Sequence, residues 1–188
     1  MQTQNQAPMS RQHDFGGRLG LMKFLSILAL LTAIAGHAGT LEGRIIGIAD
    51  GDTVTLLDGS NSQHKIRLAG IDAPEKKQAF GTRSKESLSD IVFGKTVTVE
   101  TGKIDRYGRT IGKILVNDTD ANLEQIKRGM AWHYRTYQRE QRPQDRSSYA
   151  AAEIDARTAK RGLWQDADPT PPWNFRKDTR TLASRTMP

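Results

Sequence analysis

The sequence predicts an α+β domain whose core is a five-stranded Greek-key barrel of the OB type, with about three helices packed against it. Short segments with apolar residues at every second position alternate with turns rich in Asp and Gly, which is typical of antiparallel strands. One helical pattern interrupts these strands, and further helical patterns follow them. The chain of 188 residues is long enough for one such domain.

Three strands open the predicted barrel. The segment RIIGIAD is an apolar strand, TVTLL alternates with a period of two residues, and HKIRLAGI is the third strand. The turns DGDT and DGSN separate them. Connections as short as these predict an antiparallel meander.

A helix separates the third strand from the last two strands. In GTRSKESLSDIVFG, Leu88, Ile91 and Val92 share one helical face, and Gly94 is well placed to end the helix. The segment KTVTVE then returns to a period of two, DRYGR is a turn, and TIGKILV is a further strand. These segments complete the five predicted strands.

Two more helices are predicted after the strands. The first has Leu123, Ile126 and Met130 on one stripe, and the second is the alanine-rich segment SSYAAAEIDARTAKRG. Beyond them the sequence is polar and rich in proline. We expect PPWNFRK to pack loosely and the residues after Lys177 to be disordered. The predicted limits are 39–165 for the barrel domain and 166–188 for a partly disordered tail.

The start of the chain has the order of a secretory signal peptide, predicted as residues 1–38. A basic lead with few acids precedes the 12-residue apolar run FLSILALLTAIA, and the small-residue stretch GHAGT follows it. The run is about half the ~20 residues that a membrane-spanning helix needs. We therefore predict export to the periplasm or the medium, without stable membrane insertion, and cleavage after Ala38 or Ala35. Met22 is a second candidate initiator, in which case residues 1–21 are not translated.

Charge and composition favour some functional classes and exclude others. The net charge is +7, and removal of residues 1–38 takes away three basic residues and one acidic residue, which leaves +5. A basic surface suits a polyanion such as nucleic acid, although many other proteins share it. The absence of cysteine excludes a disulfide scaffold and a thiolate metal site. Only His64 and His133 remain after residue 38, which argues against a paired-histidine nuclease or a three-histidine zinc site.

Three polar clusters lie at predicted strand ends or turns. They are DGDT with Asp50, Asp52 and Thr53, RLAGIDAPE with Arg67, Asp72 and Glu75, and DRYGR with Asp105, Arg106, Tyr107 and Arg109. Each has an adequate local explanation. Asp-Gly is a strong turn signal, an acid before a proline suits the start of a helix, and DRYGR suits a hairpin turn with solvated charges.

Taken together, the clusters indicate phosphodiester chemistry. Asp52, Asp72 and Glu75 carry hard oxygen donors of the kind that calcium prefers. The two arginines, Arg67 and Arg109, offer planar donor pairs that match phosphate oxygens. Cleavage of a phosphodiester needs positive charge on the phosphate oxygens and an oriented or deprotonated water. These residue types meet both requirements.

From Gly43 to about Trp164, the chain resembles the staphylococcal nuclease (thermonuclease) family. The resemblance is carried by DGDT, RLAGIDAPE, DRYGR, NLEQIKRGMAW and KRGLW, in the order and at the approximate spacing of the family. It covers roughly two-thirds of the chain. It implies an OB-type barrel with three helices and a calcium-dependent phosphodiesterase that acts on DNA and RNA and leaves 3′-phosphate ends.

The resemblance also implies roles for individual residues. Asp52 and Asp72 would bind calcium through their carboxylates, and Ala73 through its backbone carbonyl, where the family has a threonine. Glu75 would activate or orient the attacking water. The remaining implied positions are Arg67 and Arg109 on the scissile phosphate, with Asp50 and Thr53 as supporting residues.

Further residues are implied as substrate contacts. Arg106 stands where the family has a lysine, and Tyr107 matches a tyrosine that contacts substrate. A second aromatic contact is expected from WHYRTY, and both Tyr134 and Tyr137 are candidates. Stacking of bases on such rings tolerates any sequence, which suits a non-specific nuclease that prefers single strands.

Two other functional classes are alternatives. A nucleic-acid-binding module with this fold would have lost at least one residue of the implied catalytic set. All five members are present, namely Asp52, Arg67, Asp72, Glu75 and Arg109. A surface interaction protein would be indifferent to calcium, and only the basic charge favours it. We predict an exported, calcium-dependent, sugar-non-specific endonuclease, with a monomer as the default because no oligomerisation signal stands out.

Overall fold

A computed structural model describes residues 39 to 186, and the first half of its barrel is a three-stranded meander. Strands β1 (Thr40–Ile48), β2 (Thr53–Asp58) and β3 (Gln63–Leu68) pair in antiparallel order, as the sequence predicts. Asp58 closes the turn before β3, because its Oδ1 accepts hydrogen bonds from the backbone N–H groups of Ser60 and Ser62, both at 2.9 Å.

Two longer strands close the barrel. Strand β5 (Thr96–Ile104) pairs with β1, and β6 (Thr110–Val116) pairs with β5. Strand β6 also runs parallel to β3, with Arg67 opposite Ile111, and this pairing joins the two ends of the sheet. The predicted five-stranded OB-type barrel is confirmed.

Three short strands lie outside this closed set. Strand β4 (Ile71–Asp72) pairs with β8 (Trp132–His133), and β7 (Thr119–Asp120) pairs antiparallel with β6. The β4–β8 pair places Asp72 opposite Trp132. The acidic segment that follows β3 is therefore held against the second half of the chain.

The helices are more numerous than the sequence predicts. They are α1 (Gly81–Val92), α2 (Ala121–Lys127), α3 (Pro143–Thr158) and α4 (Pro172–Thr186), with 3-10 helices over Arg135–Glu140 and Gly162–Gln165. Helix α1 ends before Gly94, whose φ of 71° is the left-handed conformation expected of a glycine stop. Helices α1, α2 and α3 match the three predicted helices.

Helix α4 differs from the loosely packed tail that the sequence predicts. Pro171 precedes the helix and Pro172 is its first residue, where a fixed φ and a missing N–H favour helix initiation. Trp173 then packs against Trp132, with ring centroids 6.4 Å apart. The segment has no long apolar stripe, so its pattern did not indicate a packed helix. The predicted limits at residues 165 and 166 stay predictions, and the predicted signal peptide lies outside the described residues.

The core fills the barrel and continues under the helices. Ile45, Leu56, Ile66 and Ile114 are fully buried inside the barrel, and Leu88 of α1 packs into the same cluster. A second cluster forms beside it, and its members are Trp132, Ala156, Leu163 and Trp164, with Phe80 and Trp173 packed against them. The described residues all belong to one compact unit. Within the described residues, no helix has the length and apolarity to cross a membrane.

Candidate active site

The turn between β1 and β2 carries the first pair of acids, Asp50 and Asp52. Gly51 lies so close to α1 that a Cβ atom there would be 1.8 Å from Ser84 Oγ, so only glycine fits. The backbone N–H of Asp52 donates to Asp50 Oδ1 at 3.1 Å, which closes the turn. Asp-Gly therefore makes a turn here, as its local signal indicates, and the turn also fixes the position of Asp52.

Arg67 lies between the two buried aspartates. Its Nη2 is 2.9 Å from Asp72 Oδ1 and 3.1 Å from Asp52 Oδ2. Its Nη1 donates to the backbone carbonyls of Leu68 and Ile71, at 2.9 and 3.0 Å. Four contacts hold the guanidinium in one orientation, so the charge of Arg67 has a fixed position between the acids.

The register of the sheet explains how these residues meet. Thr53 is paired with Arg67 across β2 and β3, which places Asp52 beside the end of β3. Strand β4 begins three residues after β3 and carries Asp72. The chain reverses between β3 and β4 at Gly70, whose φ is 74°.

Asp52 is bound on both of its oxygens. Its Oδ2 accepts the backbone N–H of Ala73 at 2.7 Å, and its Oδ1 accepts the Thr53 hydroxyl at 3.1 Å. Asp52 is only 5% exposed. Ala73 and Thr53 therefore orient the carboxylate, and the supporting role of Thr53 stays a prediction.

The surroundings of Asp52 make its negative charge costly. Burial raises the pKa of Asp52 above its ordinary value, Arg67 opposes that rise, and the neighbouring Asp50 and Asp72 add to it. The charged form of the carboxylate therefore needs positive charge beside it. Arg67 supplies part of that charge.

Arg176 of α4 holds the third acid of the cluster. Its Nη1 donates to Glu75 Oε1 at 2.8 Å and to Asp72 Oδ1 at 3.2 Å, and its Nη2 donates to Asp72 Oδ2 at 2.7 Å. The guanidinium thus bridges Asp72 and Glu75. The sequence did not single out Arg176, and its only local signal is a spacing of three residues from Trp173 in a segment that begins with proline.

The calcium ion implied by the resemblance can be tested against these residues. The carboxylates of Asp52 and Asp72 converge on one position, the nitrogen Nη2 of Arg67, and both are hard oxygen donors. Their crowding also calls for a positive neighbour, so the donor chemistry fits a calcium ion. Within the described part of the chain, however, no group of three or more Asp, Glu, His or Cys residues could hold a metal ion, and Glu75 is bound to Arg176.

Arg109 lies in the β5–β6 turn and is fixed by Asp105. Asp105 Oδ2 accepts from Arg109 Nε at 2.8 Å, and Asp105 Oδ1 accepts from the Arg109 backbone N–H at 3.0 Å. The next residue, Thr110, is paired with Ile66, which precedes Arg67. The barrel therefore brings Arg109 to the strand beside Arg67, although its described contacts are with its own turn.

The aromatic candidates lie in two places. Tyr107 is 68% exposed, and the guanidinium groups of Arg106 and Arg109 lie 4.9 and 5.4 Å from its ring centroid. Tyr134 and Tyr137 pack together with centroids 5.6 Å apart. Tyr137 is exposed, whereas Tyr134 is partly buried. The choice between these two tyrosines stays open.

His133 is a buried residue of the β4–β8 pair. It is 1% exposed, and its Nε2 lies 2.9 Å from Gln141 Oε1. His64 is partly exposed, and its Nε2 lies 2.7 Å from Asp58 Oδ2 at the edge of the barrel. Neither histidine contacts the acidic cluster, so the chemistry of the site rests on carboxylates and guanidinium groups.

Comparison with known proteins identifies the family. The family described as "Staphylococcal nuclease homologue" matches residues 65–166. The chain belongs to the staphylococcal nuclease family. This match includes Arg67, Asp72, Glu75 and Arg109, whereas Asp52 and Arg176 lie outside it.

Proteins similar to this chain occur in several bacteria. The chain is 39% identical over 160 residues to a Haemophilus influenzae protein named "Uncharacterized endonuclease", with 85% of each chain covered. It is 36% identical over 157 residues to an "Uncharacterized endonuclease" of Escherichia coli O157:H7, with 83% of this chain and 98% of that protein covered. A "Micrococcal nuclease" of Shigella flexneri is 35% identical over 177 residues, with 85% and 99% covered.

Proposed function

We propose that this chain is a calcium-dependent, sugar-non-specific endonuclease that hydrolyses phosphodiester bonds in DNA and RNA and leaves 3′-phosphate ends. That it is a nuclease follows from its family. The observation that carries the finer proposal is that Asp52 and Asp72 both contact Arg67, while Arg176 links Glu75 to Asp72.

Asp52 and Asp72 would hold the calcium ion with their carboxylates, together with the backbone carbonyl of Ala73. Both side chains are buried, and the N–H of Ala73 already orients Asp52. When bound, calcium supplies positive charge that stabilises the charge developing on the phosphate. The crowded aspartates make such a charge favourable at this position.

Arg67 and Arg109 would bind the two non-bridging oxygens of the scissile phosphate. Each guanidinium is held by an acid, Arg67 by Asp72 and Arg109 by Asp105, so its donors are oriented before substrate arrives. Preorganised donors stabilise a transition state because they need no rearrangement as charge develops. Arg106, next to Tyr107, adds positive charge for a neighbouring phosphate.

Glu75 would orient the attacking water and accept its proton. The water oxygen forms a new bond to phosphorus, the bond from phosphorus to the 5′-oxygen breaks, and the leaving oxygen takes up a proton from solvent. The chain that keeps the phosphate then ends in a 3′-phosphate. Glu75 is 38% exposed at its side chain, which leaves it accessible to water.

The substrate would be bound without regard to sequence or sugar. Tyr107 and one of Tyr134 and Tyr137 would stack on bases, which requires unstacked strands and favours single-stranded DNA and RNA. The basic charge of the chain supports association with a polyanion. We propose that the protein acts as a monomer.

The protein would work outside the cytoplasm. The basic lead, the 12-residue apolar run and the small residues after it support a signal peptide over residues 1–38. N-terminal sequencing of the exported protein would test this part of the proposal. A mature chain that begins at residue 36 or 39 would support it, and recovery of the uncleaved chain in the cytoplasm would contradict it.

The decisive experiment is cleavage of single-stranded DNA by residues 39–188, with calcium and with a chelator. We expect cutting only with calcium, and loss of cutting in Glu75→Gln. The matched control is Glu86→Gln, which alters an exposed glutamate of α1. End-group analysis should find 3′-phosphates. DNA binding without cutting in any condition would instead indicate a binding module and make these acids structural.

A further inference from the structure

Helix α4 places a positive charge on the carboxylates that the proposed function assigns to catalysis. Arg176 donates three hydrogen bonds, two to Asp72 and one to Glu75. Both oxygens of Asp72 thereby accept hydrogen bonds from Arg176, and Oδ1 also accepts one from Arg67. Because Asp72 is 1% exposed, these guanidinium groups replace the solvation that its charge would otherwise have in water.

The same helix also covers a proposed substrate contact. The ring of Trp173 lies 5.7 Å from the ring of Tyr134, at an interplanar angle of 33°. A base could not stack on that part of Tyr134 while Trp173 stays there. Two side chains of α4, one turn apart, therefore occupy the acidic and the aromatic parts of the proposed site.

The buried part of α4 is confined to its beginning. Pro172 is buried and Trp173, Phe175 and Arg176 are partly buried, whereas Asn174 and every residue from 177 to 184 are exposed. A cavity of about 180 Å³ lies against this first turn, and Phe175, Phe80, Trp132 and Leu163 are among its lining residues. A helix with few buried apolar contacts above a cavity opens at low free-energy cost.

A divalent cation and Arg176 would compete for the same oxygens. Arg67 and Arg176 together supply two positive charges, which equal the charge of one calcium ion. A calcium ion bound to Asp72 would repel a guanidinium that stays within hydrogen-bonding distance of the same carboxylate. The affinity of the site for calcium is then lowered by the free energy needed to remove Arg176.

We propose that α4 is an autoinhibitory helix, in which Arg176 occupies the calcium-binding carboxylates and Trp173 covers Tyr134 until calcium releases both. This inference rests on the proposed calcium-dependent function. Calcium would bind to Asp72 and α4 would leave, which exposes Glu75 and Tyr134 to substrate. The helix thus couples formation of the metal site to opening of the substrate site.

Calcium titration by calorimetry tests the competition in residues 39–188, which contain the whole described unit. We expect Arg176→Ala to bind calcium with a dissociation constant about 2- to 5-fold lower than that of the wild type, the upper part of the range that a partly exposed ion pair supports. Lys177→Ala is the matched control, because it removes the same charge from an exposed neighbouring position. Its dissociation constant should stay within about twofold of the wild type.

Hydrogen exchange tests the release of α4 without reference to activity. In the wild type, saturating calcium should accelerate exchange of the α4 amides by about the same 2- to 5-fold, because the free energy of opening α4 sets both effects. In Arg176→Ala these amides should exchange rapidly even with a chelator. Arg176→Gln serves as a second variant of similar length, should the alanine variant fold poorly.

The outcomes separate this inference from the function on which it rests. If the wild type binds calcium and cuts DNA, but the Arg176 variants bind calcium no more tightly or α4 stays protected, the inference is overturned and Arg176 is structural. If no variant binds calcium while DNA is still cut, the calcium proposal fails, and the competition fails with it. Tighter binding in the Arg176 variants together with calcium-accelerated exchange would support the autoinhibitory helix.

Discussion

Gln125 Nε2 of α2 donates a hydrogen bond of 2.9 Å to the backbone carbonyl of Gly51, in the turn that carries Asp52. The same amide donates to Ser84 O at 3.0 Å, and its Oε1 accepts from Ser87 Oγ at 2.6 Å. Gln125 is fully buried. One side chain therefore ties α1 and α2 to the acidic turn, although it touches no acid itself.

Gln125→Met should weaken both the fold and the activity. Methionine has a similar length but leaves the carbonyls of Gly51 and Ser84 without this donor, so we expect a loss of about 2–3 kcal/mol in the free energy of unfolding. The acidic turn would also lose its support, so turnover should fall at temperatures where the fold persists. Urea unfolding and cleavage rates measure the two effects. Gln144→Met, at an exposed position, is the control, and equal behaviour of the two variants would refute the positioning role.

Arg67→Ala and Arg109→Ala should each lower turnover by ~10²–10³, the usual effect of removing one transition-state donor. Arg67→Lys should not restore the rate, because an ammonium cannot replace the paired donors of a guanidinium. Steady-state kinetics on single-stranded DNA make the measurement, and Lys85→Ala in α1 controls for loss of a surface charge. Near-full activity in either alanine variant would remove that arginine from the transition state.

Glu75→Gln should bind DNA as tightly as the wild type but cut it ~10²–10⁴-fold more slowly, because the amide cannot accept the proton of the attacking water. Single-turnover rates and a DNA-binding titration separate the two properties. An unchanged rate would end the water-activation proposal.

Calcium should raise the melting temperature of the protein. A ligand that binds only the folded state, at a concentration 100-fold above its dissociation constant, stabilises that state by ~2.7 kcal/mol. The crowded aspartates favour such a cation, and Asp72→Asn should abolish most of the increase. Scanning calorimetry with calcium and with a chelator provides the comparison. A melting temperature that does not change in millimolar calcium would contradict the proposed site.

His133 should make the fold less stable in mild acid. Burial lowers the pKa of His133, the nearby Arg135 lowers it further, and Gln141 and Glu153 partly oppose the shift; the ring also packs against Tyr149. The unfolded chain therefore binds a proton at a higher pH than the folded chain does. The contribution of neutral His133 to the free energy of unfolding is fully present above the unfolded pKa of ~6.5. It falls as the pH decreases below that value.

Denaturant unfolding at pH 8, 6 and 5 would measure this dependence. We expect the wild type to lose more stability than His133→Gln between pH 8 and pH 5, because glutamine does not titrate. His64→Gln, at the barrel edge, is the comparison variant. Parallel pH curves for the wild type and His133→Gln would show that His133 is not responsible.

Much of the fold could be predicted because its patterns are local. Alternation in TVTLL and the helical spacing of Leu88, Ile91 and Val92 each reflect one buried face, which neighbouring residues determine. The parallel pairing of β3 with β6 has no such local signal, since it joins Arg67 to Ile111 across 44 residues. The closed barrel is predicted from the number and order of the strands and from the family resemblance, and not from a local signal for this pairing.

The acids and arginines of the candidate site could also be predicted, because their motifs lie within short stretches that carry the family resemblance. Local pattern and resemblance were enough to predict the five barrel strands, three of the helices, the family, and the candidate residues for calcium and phosphate. The position of Arg67 between Asp52 and Asp72, and the contact of Arg176 with Asp72 across 104 residues, are visible only in the folded chain. Helix α4 buries little more than its first turn, so it leaves no apolar stripe in the sequence. Its contacts with the acids arise from charges that meet only after the chain has folded.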